Sequence, residues 1–180
     1  MADSGSSIAR MERNVEIKAR IPSVDLLLPV VAGLADRGPV EILQDDTFFA
    51  CPRGRLKVRV ISEAEGELIF YQRADIAGPK ESSYIIAPTK SPDSLRAALS
   101  LAYGQIGRVR KHRRLFLMGR TRIHLDRVEG LGDFLELEVV LERDESVQAG
   151  AALAEELLVK LGISPEQLIK DAYVDLISKA

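Results

Sequence analysis

Asn14-Val15-Glu16-Ile17-Lys18-Ala19-Arg20-Ile21 alternates polar and apolar side chains without a break. Successive side chains of an extended chain point to opposite sides, so this period of two marks a strand with one ionic and one apolar face. Leu56–Ile61 repeats the pattern. Leu68–Arg73, Ser82–Ala87, Ile106–Met118, Thr121–Val128 and Phe134–Leu141 read as further strands, and Glu41–Cys51 as another anchored by Phe48 and Phe49. Turn signals separate them: Pro52-Arg53-Gly54, Ala64-Glu65-Gly66, a hairpin tip at Gly119 and a Gly130-Leu131-Gly132 loop. About eight strands joined by short turns predict a mainly antiparallel sheet.

Helices fill the remaining segments. Ser91, with Pro92 at the first helical position, predicts a capped helix to about Tyr103, stopped by Gly104. Gln148–Leu161 is amphipathic and ends at Gly162. Ser164-Pro165-Glu166-Gln167 has capping-box form and predicts a last helix through Leu168, Ala172 and Leu176. Ser23–Ala35 is also helical in pattern, with Pro29 expected to kink or shorten it. The class is α+β. One domain is expected over residues 11–180, behind a small, polar, flexible leader of residues 1–10.

The 180 residues are 46% hydrophobic and 29% charged, which excludes a disordered or fibrous chain. Lys and Arg number 25 against 27 Asp and Glu. A net charge of −2 does not suit a protein that grips DNA by bulk positive charge. Apolar runs are too short to span a bilayer. Cys51 is the single cysteine, so an intrachain disulfide or multi-cysteine zinc site is excluded. A reducing, cytoplasmic location follows as the expectation, with Cys51 as a small buried hydrophobe.

The polar faces carry the functional signal. Every second residue gives Glu16, Lys18 and Arg20, then Lys57 and Arg59, then Glu67 and Arg73. Later strands give Lys111 and Arg113, then Arg122, His124 and Asp126, then Glu136 and Glu138. The reverse faces read Val15, Ile17; Leu56, Val58, Val60; Leu135, Leu137, Val139. An open sheet with one wet face shows the same alternation. Enough amphipathic helices are present, however, to cover the apolar faces and let the charged ones close into a barrel lining. Converging Lys and Arg repel by about 4 kcal/mol per pair at ~4 Å and an effective dielectric of 20, so such a lining calls for a polyanion or facing carboxylates. Basic side chains for phosphate oxygens and carboxylates for Mg²⁺ or Mn²⁺ together suit a phosphate chain with a divalent metal.

An ordered set of motifs carries a family resemblance. It comprises Asn14-Val15-Glu16-Ile17-Lys18, Leu56-Lys57-Val58-Arg59, Glu67 to Arg73, Val109 to Arg113, Ile123-His124-Leu125-Asp126, Gly130-Leu131-Gly132 and Phe134 to Glu138. The set resembles the CYTH superfamily, the triphosphate tunnel metalloenzymes, and within it the class IV adenylyl cyclase-like branch. The resemblance implies an eight-stranded antiparallel β-barrel with a charged interior, flanked by amphipathic helices. It also implies a metal-dependent enzyme acting on ATP or inorganic triphosphate, and a homodimer. The activities in view are ATP cyclisation to cyclic AMP and pyrophosphate, or triphosphate hydrolysis; binding without turnover is the third reading.

Carried over residue by residue, the resemblance implies metal binding by Glu16, Glu136 and Glu138. Asn14 stands where the signature has its first glutamate. An amide oxygen ligates a hard cation but brings no charge. Lys18, Lys57, Arg59, Arg73, Lys111 and Arg113 match phosphate-contacting positions, with Lys111 and Arg113 also catalytic. Asp126 is expected to orient or deprotonate the nucleophile, and His124 to line the tunnel beside the substrate. Glu67 and Glu81 are expected to pair with lining basics. Tyr71, Tyr84 and Tyr173 are expected to pack, and His112 to point away from Lys111.

Overall fold

The computed structural model describes residues 11–179; the expected leader of residues 1–10 lies outside the described residues. Eight strands form: β1 Glu12–Arg20, β2 Arg37–Phe49, β3 Arg55–Ser62, β4 Glu65–Arg73, β5 Lys80–Thr89, β6 Gln105–Met118, β7 Thr121–Val128 and β8 Gly132–Val140. They close into a barrel in the order β1-β5-β4-β3-β2-β6-β7-β8. Every neighbouring pair is antiparallel. Pairing of β8 with β1, Glu138 opposite Glu16 and Glu136 opposite Lys18, makes the closing seam. Among the described residues, no helix is long and apolar enough to cross a membrane.

Closure turns the apolar faces outward and makes the hydrophobic core a layer outside the barrel. Val15, Ile17, Ile123, Leu125, Leu135, Leu137 and Val139 lie buried there. Helices α1 (Val24–Leu34) and α3 (Val147–Lys160) cover them with Val24, Val31, Ala154, Leu157 and Leu158. Full burial of each such aliphatic side chain contributes roughly 1.5–3 kcal/mol. Gly150 permits the closest approach: a Cβ there would lie 2.7 Å from Leu141 and 2.9 Å from Val15. Helix α2 (Pro92–Tyr103) sits over β3 and β4, its Pro92 against Gly66, where a Cβ would come within 2.6 Å.

Several local expectations are corrected. Helix α1 has the expected span and is not shortened by Pro29, which lies inside it; its start is held by the Ser23 side chain and by Asp133, which accepts from the Val24 N–H at 2.7 Å. Ser91 caps α2 through its carbonyl only; its side chain makes no cap bond. Cys51 is half-buried. The single last helix is divided. Pro165–Gln167 makes one 3₁₀ turn, with the Gln167 side chain accepting from the Ser164 N–H at 3.0 Å. The next residues extend, because Leu168 bridges Ala19 and the Ile169 N–H donates to the Lys18 carbonyl at 3.0 Å. Helix α4 (Tyr173–Ile177) then starts across the end of the barrel.

Candidate active site

Sidedness places the ionic residues around one internal cavity of about 480 Å³. Seven basic side chains line it: Lys18, Lys57, Arg59, Arg73, Lys111, Arg113 and Arg122. Five carboxylates join them: Glu16, Asp46, Glu67, Glu136 and Glu138. Asn14 and His124 complete the polar wall. One end of the barrel is closed by α4, where Ala172, Tyr173 and Val174 pack on Phe48, Val109, Val128 and Phe134. The other end is open, since Ile61 and Ile86 line the wall there while 48% and 44% exposed. Ile42 and Leu115 extend the same apolar arc.

Two buried aspartates organise the basic groups. Asp46 on β2 accepts from Lys57 at 2.7 Å and from Arg59 at 2.8 and 3.0 Å. Asp126 on β7 accepts from Lys111 at 3.0 Å, from Arg113 at 2.7 and 2.6 Å, and from the Tyr173 hydroxyl at 3.0 Å. Burial alone would raise both carboxyls, but the adjacent cations outweigh it and hold them well below the usual carboxylate range. Burial among Arg59 and Lys111 pushes the Lys57 ammonium down to about 8 in spite of Asp46. The Tyr173 ring lies beneath two ammonium groups, 4.0 Å from Lys18 and 4.9 Å from Lys111. Burial and then Asp126 push its hydroxyl pKa up, so it stays a donor.

The acidic wall spans β7, β8 and β1. Across it, Arg122 faces Glu138 and Glu138 faces Glu16; His124 faces Glu136 and Glu136 faces Lys18. Glu136 takes Arg113 at 3.3 Å and Lys18 at 3.7 Å. Glu138 takes Arg122 at 3.2 Å, and Glu16 takes Arg73 at 3.1 Å. Burial, then Arg113, holds the His124 imidazolium pKa down to about 4, leaving the ring neutral near pH 7. Ligand atoms of His124, Glu136 and Glu138 all lie within 4.8 Å of one another. Asn14 Oδ1 and His124 Nδ1 are buried without a hydrogen-bond partner. Carboxylate oxygens, an unpaired amide oxygen and a neutral imidazole are donors that fit a divalent cation.

Eleven expected site residues thus meet in one cavity: Asn14, Glu16, Lys18, Lys57, Arg59, Arg73, Lys111, Arg113, His124, Glu136 and Glu138. Asp126 is the exception. It shares the inward face of β7 with Arg122 and His124 but lies beneath the lining side chains, fully buried, with both oxygens engaged by Lys111, Arg113 and the Tyr173 hydroxyl, a geometry that suits positioning Lys111 and Arg113. Arg20 also leaves the cavity, stacking on Phe134 at 4.7 Å and donating to the Leu131 carbonyl at 2.7 Å. Glu67 pairs with Arg59 at 3.7 Å as expected, whereas Glu81 pairs with Arg13 instead of a lining basic. Tyr71 and Tyr84 are wall residues, and Tyr173 is a site residue beyond simple packing. His112 points away from Lys111 and pairs with Glu41.

Asp46 and Lys80 escaped the sequence reading. Asp46 shared its alternation with Gln44 and Phe48, which was a usable signal. Lys80 is buried opposite Glu16 and donates to the Ile76 carbonyl at 3.0 Å; burial, then Arg73, lowers its pKa to about 8.

A closed eight-stranded barrel with an ionic interior agrees with the match of residues 12–173 to the family model of the CYTH domain. The chain belongs to the CYTH family. Its similarity to the adenylate cyclase CyaB of Aeromonas hydrophila is 26% identity over 166 residues, covering 88% of this chain and 85% of that protein. The CYTH barrel superimposes on a protein from Pyrococcus horikoshii OT3 with a TM-score of 0.81 at 22% identity, over 91% of this chain and 98% of that one. A Hippeastrum protein described as having a dominant triphosphatase activity gives a TM-score of 0.61 at 16% identity, over 94% and 96% of the two chains. The two structural likenesses concern the fold.

Proposed function

We propose that this chain is a metal-dependent enzyme that binds ATP in the barrel and converts it to cyclic AMP and pyrophosphate, in the manner of a class IV adenylyl cyclase-like protein. The observation that carries the reading is the convergence of seven basic side chains on one cavity beside a His–Glu–Glu wall. Seven bases against five lining carboxylates leave the cavity net positive, and a triphosphate is a small anion that complements it. The cyclase at 26% identity supports the nucleotide branch. So does the apolar arc of Ile42, Ile61, Ile86 and Leu115 at the mouth, which offers an organic group a surface that inorganic triphosphate would not use.

Lys18, Lys57, Arg59, Arg73, Lys111 and Arg113 hold the phosphate oxygens, the arginines through paired N–H donors. Asp46 and Asp126 keep the basic pairs aimed inward before substrate arrives, so little reorganisation accompanies the reaction. Lys111 and Arg113 stabilise charge on the departing pyrophosphate, with Asp126 acting through them. Glu16, Glu136, Glu138 and Asn14 form the metal-binding wall. When bound, Mg²⁺ or Mn²⁺ supplies Lewis acidity and neutralises phosphate charge. Attack by the ribose 3′-hydroxyl on the α-phosphorus forms the cyclic ester as the bond to pyrophosphate breaks, the hydroxyl proton passing to the departing pyrophosphate or to solvent.

Purified protein incubated with ATP or inorganic triphosphate, with Mg²⁺ or Mn²⁺, tests the proposal. Cyclic AMP with pyrophosphate supports it. Orthophosphate release makes the protein a triphosphatase with water as nucleophile, and tight binding without product makes it a binding module. Glu136→Ala is expected to abolish turnover with the fold retained by circular dichroism; surviving activity would remove the metal wall from the mechanism.

A further inference from the structure

We infer that His124 is a direct metal ligand, making the wall a mixed nitrogen and oxygen site that prefers a transition-metal divalent ion over Mg²⁺. This rests on the metal-binding reading above and adds both the ligand and the class of ion. Four observations lead to it. First, His124 stands on β7 directly opposite Glu136 of β8, with Glu138 two residues further along β8. Second, its Nδ1 lies 3.7 Å from Glu138 Oε1, a span that two ligands each about 2.1 Å from one ion make at an angle of roughly 120°.

Third, the side chain is buried, with the residue only 3% exposed, and Nδ1 has no hydrogen-bond partner. An unpaired buried polar atom is destabilising, and metal coordination would relieve it. Fourth, the ion pairs of both glutamates use one oxygen. Oε2 of Glu138 takes Arg122 and Oε2 of Glu136 takes Arg113 and Lys18, while Oε1 of Glu138 faces the imidazole. Asn14, also buried with an unpartnered oxygen, adds a neutral donor from β1 in place of a charged one. Mg²⁺ takes oxygen ligands in near-ideal octahedra, whereas imidazole nitrogen suits transition ions.

Pulsed electron paramagnetic resonance of the full chain loaded with Mn²⁺ tests the ligand directly. The sequence holds two histidines, so His112→Gln serves as the control. The expected result is modulation from a directly bound imidazole nitrogen in the wild type and in His112→Gln, and its loss in His124→Leu. In calorimetric titrations, the wild type is expected to bind Mn²⁺ more tightly than Mg²⁺. His124→Leu should weaken Mn²⁺ binding by at least about tenfold, the lower end of what even outer-shell partners of a metal site contribute. Absence of nitrogen modulation in the wild type, no Mn²⁺ binding, or unchanged affinity in a folded His124→Leu would each overturn the assignment. If His124→Leu does not fold, the wild-type spectrum decides. Product formation from ATP is measured separately, so the ligand assignment can fall while the enzymatic reading stands.

Discussion

Asp126→Asn removes one negative charge and almost no volume. Its carboxylate holds Lys111, both donors of the Arg113 fork and the Tyr173 hydroxyl, at 2.6 to 3.0 Å, out of contact with solvent. Removing one partner of a buried ion pair destabilises by about 3–5 kcal/mol. Arg113 keeps Glu136 at 3.3 Å, which favours the lower part of that range. At roughly 2–4 °C per kcal/mol for a chain of this size, a loss of about 3 kcal/mol lowers the melting temperature by roughly 6–12 °C. The variant cavity carries one more net positive charge, and a polyanion supplies what the asparagine lacks. Tripolyphosphate should therefore raise the melting temperature of Asp126→Asn by more than that of the wild type. Thermal melts followed by circular dichroism, with and without tripolyphosphate, read both effects. In the ATP assay, kcat should fall while KM does not rise, the pattern of basic groups that still attract substrate but are no longer aimed. A variant that melts with the wild type, or gains less from tripolyphosphate, would refute the view that Asp126 balances and positions Lys111 and Arg113.

Triphosphate affinity should weaken as pH rises through about 8, where the Lys57 ammonium loses its proton, and Lys57→Arg should make that decline shallower in a binding titration. The same lowered pKa means that the unfolded chain holds the extra proton between about 8 and 10.5, so Lys57 adds stability as pH rises across that window. Tyr173→Phe keeps the ring under Lys18 and Lys111 but leaves Asp126 without its hydroxyl partner, a loss of about 1–3 kcal/mol in denaturant unfolding. Gly150→Val puts atoms where Leu141 and Val15 already stand and should destabilise by about 1–3 kcal/mol as α3 is pushed off the barrel, which thermal melting would read.

The strands were legible because each carries one ionic and one apolar face, and the two-residue period of an extended chain needs no tertiary partner to be read. Ordered motifs from Asn14 to Glu138 pointed to the family and to eleven of the residues that meet in the cavity. Alternation by itself was silent on which face turns inward, because an open sheet with a wet side has the same period. Pairing of β8 with β1, and cover by α1 and α3, decided that. Asp46 was hidden because its partners, Lys57 and Arg59, lie on another strand, and a carboxylate shows its role only once they converge. Tyr173 was hidden for a related reason. Its helix was expected to continue from Ser164, but backbone bonds to Lys18 and Ala19 extend the chain and carry the ring to the closed end of the barrel. Residue order determined which chemical groups line each strand; only the closed tertiary structure decided which of those groups share a site, because that depends on contacts between segments more than 100 residues apart, such as Lys18 with Glu136 and Tyr173.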